Sequence, residues 1–190
     1  MKNYSLRCLL LLAVSSSLLG CNSLLPSART QATPFQSFEE AKIAIKSLVP
    51  MQTSRDSLQK NGVDPASYPN TKLLSHADVV RLLIPSTILR REDLDKGILA
   101  CLEASDECYG LSIELSQIDR KRDGNFLADF SNFERRTETQ GWRFNALVLL
   151  VHEVVVYRSW GGQPWVNEIE VTTNPLGPFQ NMGPGLLSIP

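Results

Sequence analysis

Trp142-Arg143-Phe144-Asn145-Ala146-Leu147-Val148-Leu149-Leu150-Val151, then His152-Glu153, then Val154-Val155-Val156-Tyr157-Arg158-Ser159-Trp160, is the stretch that decides the fold. β-Branched and aromatic residues dominate both arms, which predicts an antiparallel hairpin with His152-Glu153 at its tip. Leu147 to Val151 is apolar without a break. A strand of that kind is covered on both faces for part of its length.

Reading outward, the flanking segments have period two. Tyr109, Leu111, Ile113 and Leu115 alternate with Gly110, Ser112, Glu114 and Ser116, giving a strand with one buried face. Asp119 to Asn125 reads as a charged turn, and Phe126, Ala128 and Phe130 as the start of the next strand. Thr137 to Gly141 and Gly161-Gly162-Gln163-Pro164 read as turns, with Trp165, Ile169 and Val171 in a closing strand. The end of the chain, rich in proline and glycine, reads as irregular.

The first half has helical spacing instead. Ser37 with Glu40 three residues on is a capping-box arrangement, and Phe38, Ala41, Ile45 and Leu48 follow on one face up to Pro50. Thr53 with Asp56 predicts a second, shorter helix carrying Leu58 inward and ending at Asn61-Gly62. Ser75 with Asp78 marks a third, through Val79, Val80, Leu82 and Leu83, with His76 in its first turn and on the surface. A fourth stretch, about Glu92 to Glu103, has Leu94, Ile98 and Leu102 on one face, although Gly97 is a poor helix former. Helices followed by an antiparallel meander predict an α+β fold: N-terminal helices packed on one face of a sheet of four to five strands.

The N-terminus carries a different message. Lys2 and Arg7 precede an apolar run from Cys8 to Leu19, and Leu18-Leu19-Gly20-Cys21 closes it. A basic start, a short apolar core and a small residue at the cut are the pattern of a secretory signal. The apolar run falls short of the roughly 20 residues that span a bilayer. Cysteine directly after the small residue resembles the lipobox of bacterial lipoproteins, which implies a diacylated Cys21 after cleavage. By the same resemblance, Asn22 in place of an inner-membrane retention aspartate implies the outer membrane, facing the periplasm. The domain organisation expected is a signal at 1–20, a lipidated N-terminus and flexible linker at 21–35, one α+β domain at 36–180 and an irregular tail at 181–190.

Composition limits the partners. The whole chain has 19 basic and 20 acidic residues. Removing residues 1–20 takes two bases and no acid, so 17 bases against 20 acids leave a charge of −3. That balance is no footprint for nucleic acid and supplies no polybasic membrane patch. A hydrophobic content of 43% supports a folded body.

With Cys8 in the signal and Cys21 capped, Cys101 and Cys108 remain. An even pair in an oxidising compartment reads first as a disulfide. Closing so short a loop stabilises by about 2.5 kcal/mol in the chain-entropy description. A redox pair would more usually have two intervening residues. A metal site would need two further ligands, and His76 and His152, the only histidines, are distant in sequence.

No catalytic motif or cofactor signature is present: no Gly-x-Ser-x-Gly elbow, no phosphate-binding glycine loop, no His-Glu-x-x-His. His152 with Glu153, Asp93 with Asp95, and Glu168 with Glu170 are acid/base candidates, read more simply as solvated turn and strand positions. Arg120-Lys121-Arg122 reads as a solvated hairpin tip between two aspartates. Trp160 and Trp165 flank the double-glycine turn and are the candidate partner patch.

The lipobox, the segment Thr53-Ser54-Arg55-Asp56-Ser57-Leu58 ending at Asn61-Gly62, and the Trp142–Trp160 hairpin together resemble the small SmpA/OmlA (BamE-like) outer-membrane lipoproteins. An insertion from about Pro65 to Cys108 departs from that pattern. The resemblance implies a non-enzymatic scaffold or assembly role beside β-barrel machinery. The function expected is therefore a lipid-anchored envelope protein that binds a protein partner or maintains the outer membrane. The alternative is a lipoprotein that binds a small molecule, a lipid or a peptidoglycan fragment.

Overall fold

The computed structural model describes residues 25–60, 70–84 and 91–179. The signal, Cys21, the Asn61-Gly62 stop and the tail from 180 lie outside the described residues. The fold is α+β: an antiparallel five-stranded sheet with helices packed against its long strands. In chain order the elements are β1 (Ser27–Gln31), α1 (Phe38–Lys46), α2 (Arg55–Lys60), β2 (Thr71–Leu74), α3 (His76–Leu83), α4 (Lys96–Ala104), β3 (Cys108–Asp123), α5 (Phe126–Phe130), β4 (Glu134–Val151) and β5 (Val154–Thr173). The sheet order is β1-β3-β4-β5, and β2 pairs with β3 from Thr71↔Ile113 to Leu74↔Gly110.

The described chain forms two compact units. The described residues of the core unit are 29–60, 70–84, 91–118 and 140–166; those of the terminal unit are 25–28, 119–139 and 167–179.

In the core unit β4 is the element that others are built against. Trp142, Phe144, Ala146, Val148 and Leu150 face one cluster, with Phe38, Ala41, Ile45, Leu48 and Leu58 of the first two helical segments. Leu149 faces a second cluster, with Val79 of α3 and Ile98 and Cys101 of α4. The expectation of helices on one face thus holds for α1 and α2, and α3 and α4 cover the other. Alternation along a strand makes this possible, because successive side chains leave on opposite sides.

The helix starts follow from their caps. Ser37 Oγ accepts from Glu40 N at 3.2 Å, while Glu40 Oε2 accepts from Gln36 N at 2.7 Å, one residue earlier than in a standard box. Ser75 and Asp78 form the full box at α3. These bonds hold the Asp78 carboxyl below the usual carboxylate range, the Ser75 hydroxyl being the largest cause. At α4 it is Asp95 that caps, taking Gly97 N at 2.7 Å. Thr53 stands two residues before α2, and its hydroxyl accepts from Val49 N at 2.7 Å, tying the turn before the helix.

Several expected short strands are corrected. Thr137 to Gly141 is not a turn but lies inside β4, and Gly161 to Pro164 lies inside β5. Gly141 and Gly162 have φ of 147° and 129°, and a Cβ on either would lie within 2.3 Å of a neighbouring strand's carbonyl oxygen. Each strand continues through its glycine, which supplies the positive φ and the room for the neighbouring carbonyl. Phe126, Ala128 and Phe130 do not begin a strand. They form α5, because Asn125 Oδ1 accepts from Leu127 N and Ala128 N and caps a turn of helix. Spacing of two and four residues fits either period over so short a run.

Part of the stretch expected as a flexible linker, 21–35, is a strand instead. Ser27–Gln31 is a strand on β3, with Arg122 N donating to Pro26 O at 3.1 Å and Ala32 N to Ser116 O at 2.9 Å. All five of its side chains are exposed, so backbone pairing holds it where burial does not.

Gly97 is the glycine that fits α4 against β5. A Cβ there would lie 1.9 Å from Val156 O. Gly97→Ala should therefore lower stability although alanine is the better helix former. Leu149→Ala, emptying a fully buried position, should cost about 2–5 kcal/mol. Urea unfolding checks both; an unchanged midpoint for either would contradict this packing.

Candidate functional site

The β4–β5 turn puts both of its residues in the left-handed region, His152 at φ 48° and Glu153 at φ 64°. This suits the twist of a two-residue hairpin. It also sends the two side chains to different partners. His152 Nε2 lies 2.6 Å from Glu107 Oε2. Glu153 accepts from Arg55 Nη1 at 3.1 and 3.3 Å and from the Tyr109 hydroxyl at 3.1 Å. The Arg55 guanidinium lies 5.9 Å from the centre of the Tyr109 ring. His152 and Glu153 therefore do not act on one another as an acid/base pair, and the His152 side chain is 70% exposed.

The same place is a backbone clasp. Met51 N donates to Val155 O, Val155 N to Thr53 O and Arg55 N to Glu153 O, all within 2.7–2.8 Å. Residues 51–55 thus lie against the start of β5. Tyr109 is pushed above its ordinary range by burial first, then by its bond to the Glu153 carboxylate. The exposed Arg55–Glu153 pair contributes under about 1 kcal/mol by itself.

Cys101 and Cys108 form a disulfide with Cα atoms 5.1 Å apart, joining the end of α4 to the start of β3. Both are buried in the second cluster. His76 is not the surface residue expected. It is half-buried, and its Nδ1 is enclosed without a hydrogen-bond partner. One ring nitrogen and both sulfurs lie within 4.8 Å of one another. The spacing from His76 to buried Val79 is three residues, which puts both on one helix face; that was the signal in the sequence. With the sulfurs bonded to each other, the trio holds no thiolate to ligate a metal.

Trp160 and Trp165 lie on β5, which ends the sheet. Their environments differ. Trp160 stacks on Phe144 with centroids 6.4 Å apart, meets Phe38 edge-on at 6.2 Å, and lies under Lys42 and Lys46 Nζ at 5.1 and 5.7 Å. Trp165 is 74% exposed. Asp95 is the α4 cap already described, Asp93 closes a short 3-10 turn, and Glu168 and Glu170 are exposed along β5.

In the terminal unit the basic run Arg120-Lys121-Arg122 lies within β3, not on a hairpin tip. Arg122 Nη1 binds Asp129 Oδ1 at 3.0 Å, and Asp129 is buried. All three bases border an open depression of about 260 Å³ with Pro26 and Thr137. In the core unit an open depression of about 450 Å³ lies along α1 between Phe35 and Ile43. Sequence reading missed the apolar surface of the terminal unit. Phe126 and Phe130 stack at 5.8 Å, and Leu127, Phe130, Phe133, Leu176 and Phe179 are all exposed. Asn174 fastens the last segment here, donating from its backbone to Phe133 O and from Nδ2 to Asn132 O.

Compared with known proteins, the chain matches no family model, no curated protein and no solved structure.

Replacing Cys101 and Cys108 together by serine should cost about 2–3 kcal/mol, read by urea unfolding. Tyr109 holds its proton to higher pH in the folded chain, so above about pH 10 the unfolded state binds fewer protons. Stability should fall more steeply there in the wild type than in Tyr109→Phe, measured as urea midpoints against pH.

Proposed function

We propose that this chain is a lipid-anchored, periplasm-facing protein of the outer membrane that works by binding a protein partner, without catalysis. The anchoring half of the reading is supported by Leu18-Leu19-Gly20-Cys21 after a basic and apolar start. A disulfide-bonded body is compatible with an oxidising compartment. The resemblance to the SmpA/OmlA outer-membrane lipoproteins points in the same direction.

The observation that carries the binding half is Trp165, a large aromatic side chain 74% exposed on the strand that ends the sheet. Tryptophan is over-represented among the residues that dominate protein interfaces. A terminal strand also offers backbone groups to an added strand. Trp160, on the same strand and 38% exposed, is engaged with Phe144 and Phe38, so Trp165 is the more available of the two.

Two measurements test the two halves. Metabolic labelling with palmitate should mark the wild type and not Cys21→Ser; equal labelling would remove the anchor. A photo-crosslinking residue at position 165, introduced in cells, should give one discrete protein adduct that a probe at exposed Glu39 does not. Trp165→Ala should weaken that partner's retention about tenfold. No adduct at 165, with a small ligand retained on the purified protein, would reverse the choice in favour of small-molecule, lipid or peptidoglycan-fragment binding.

A further inference from the structure

The apolar surface of the terminal unit is large for its size. Leu127 is 71% exposed, Phe130 78%, Leu176 62% and Phe179 65%, with Phe133 at 47%. The segments that carry them are fastened to one another. Phe133 N donates to Ala128 O of α5, Asn174 N donates to Phe133 O, and the Phe133 ring covers Gly177, where a Cβ would meet it at 2.8 Å. The helix that presents Leu127 and Phe130 is fixed from below by buried Asp129, which takes the Arg122 guanidinium. Phe126 stacks on Phe130 and stiffens the same turn. A scatter of single apolar residues is ordinary on a protein surface, whereas five large ones carried on segments tied together call for something to cover them.

The occupant is indicated by where the chain enters this unit. Arg122 N donates to Pro26 O at 3.1 Å, and the Arg122 side chain reaches Asp129 on α5. Only one residue's backbone and side chain therefore separate the start of the described chain from the patch helix. Cys21 stands five residues before Pro26, a reach of at most about 17 Å. Acyl chains on Cys21 would hold this unit close to the lipid that they enter. Resting on the lipoprotein reading, we infer that Leu127, Phe130, Phe133, Leu176 and Phe179 dock on the lipid surface and seat the terminal unit in the bilayer interface.

The charges define the type of contact. The described residues of this unit include five bases (Arg120, Lys121, Arg122, Arg135, Arg136) and seven acids (Asp119, Asp123, Asp129, Glu134, Glu138, Glu168, Glu170). Attraction to anionic headgroups is not the driving force. The contact is apolar and aromatic at the level of the headgroups, and it does not depend on ionic strength.

The test uses the mature protein reconstituted in phosphatidylethanolamine/phosphatidylglycerol vesicles. A nitroxide is attached at Phe130→Cys or, as reference, at Ile43→Cys, an exposed apolar position in the core unit. Collision with oxygen and with a water-soluble nickel chelate should place the probe at 130 roughly 5 Å below the phosphates. The probe at 43 should stay in water, and neither depth should change with salt. A probe at 130 that remains as open to nickel as the one at 43 overturns the inference. Shielding at 130 that is already complete before vesicles are added also overturns it: loss of that shielding on truncation after Phe179 assigns the cover to residues 180–190, and loss on dilution assigns it to a second copy. Mass spectrometry of the N-terminal peptide reads the acylation of Cys21 separately. An unmodified Cys21 removes the lipoprotein reading, while the probe at 130 still decides whether the patch enters lipid.

Discussion

Val148, Leu149 and Leu150 leave neither face of β4 in water, so the strand is stable only while other elements occupy both sides of it. That constraint orders the core unit. One face is filled by α1 and α2 through Phe38, Ala41, Ile45 and Leu58; the other is filled by α3 and α4 through Val79, Ile98 and Cys101. Gly97 and Gly110 follow from the same requirement. Gly97 lets α4 come against the backbone of β5, and a Cβ at Gly110 would press on Val79 and Leu149. The Cys101–Cys108 bridge then joins the covering helix to the strand it covers.

Much of this was legible because burial writes periodicity into sequence. The capped starts at Ser37 and Ser75, the inward face Leu111, Ile113, Leu115, and the two-sided run Leu147–Val151 are patterns that water and packing impose locally. Strand length was less legible. Gly141 and Gly162 look like turns to a local reading, and only the neighbouring strand's carbonyl at each shows why glycine stands inside a continuous strand. β1 was invisible for the opposite reason. Ser27, Ala28, Arg29, Thr30 and Gln31 bury nothing, so their order is a matter of backbone pairing that no side-chain pattern records.

The candidate site divides in the same way. Trp165 could be singled out as a large aromatic beside Gly161-Gly162-Gln163-Pro164, although that stretch is strand and the exposure comes with the terminal place of β5 in the sheet. Its difference from Trp160 depended on Phe38 and Lys42, which come from α1 and lie more than a hundred residues earlier in the chain. The patch of the terminal unit was misread because Phe126 and Phe130 satisfy both a strand and a helix pattern. Asn125, whose side chain closes on Leu127 and Ala128, decides between the two.

The pairing of β1 has a consequence for how the chain comes to be folded. Pro26 and Ala32 bond to Arg122 and Ser116, roughly 90 residues further on. Any process that delivers this chain N-terminus first therefore releases its opening strand long before a partner exists for it. During that interval Ser27–Gln31 has unpaired backbone groups and small or polar side chains, a composition that gives little hold to misassembly. The absence of burial that hid this strand from the sequence is thus also what lets it wait.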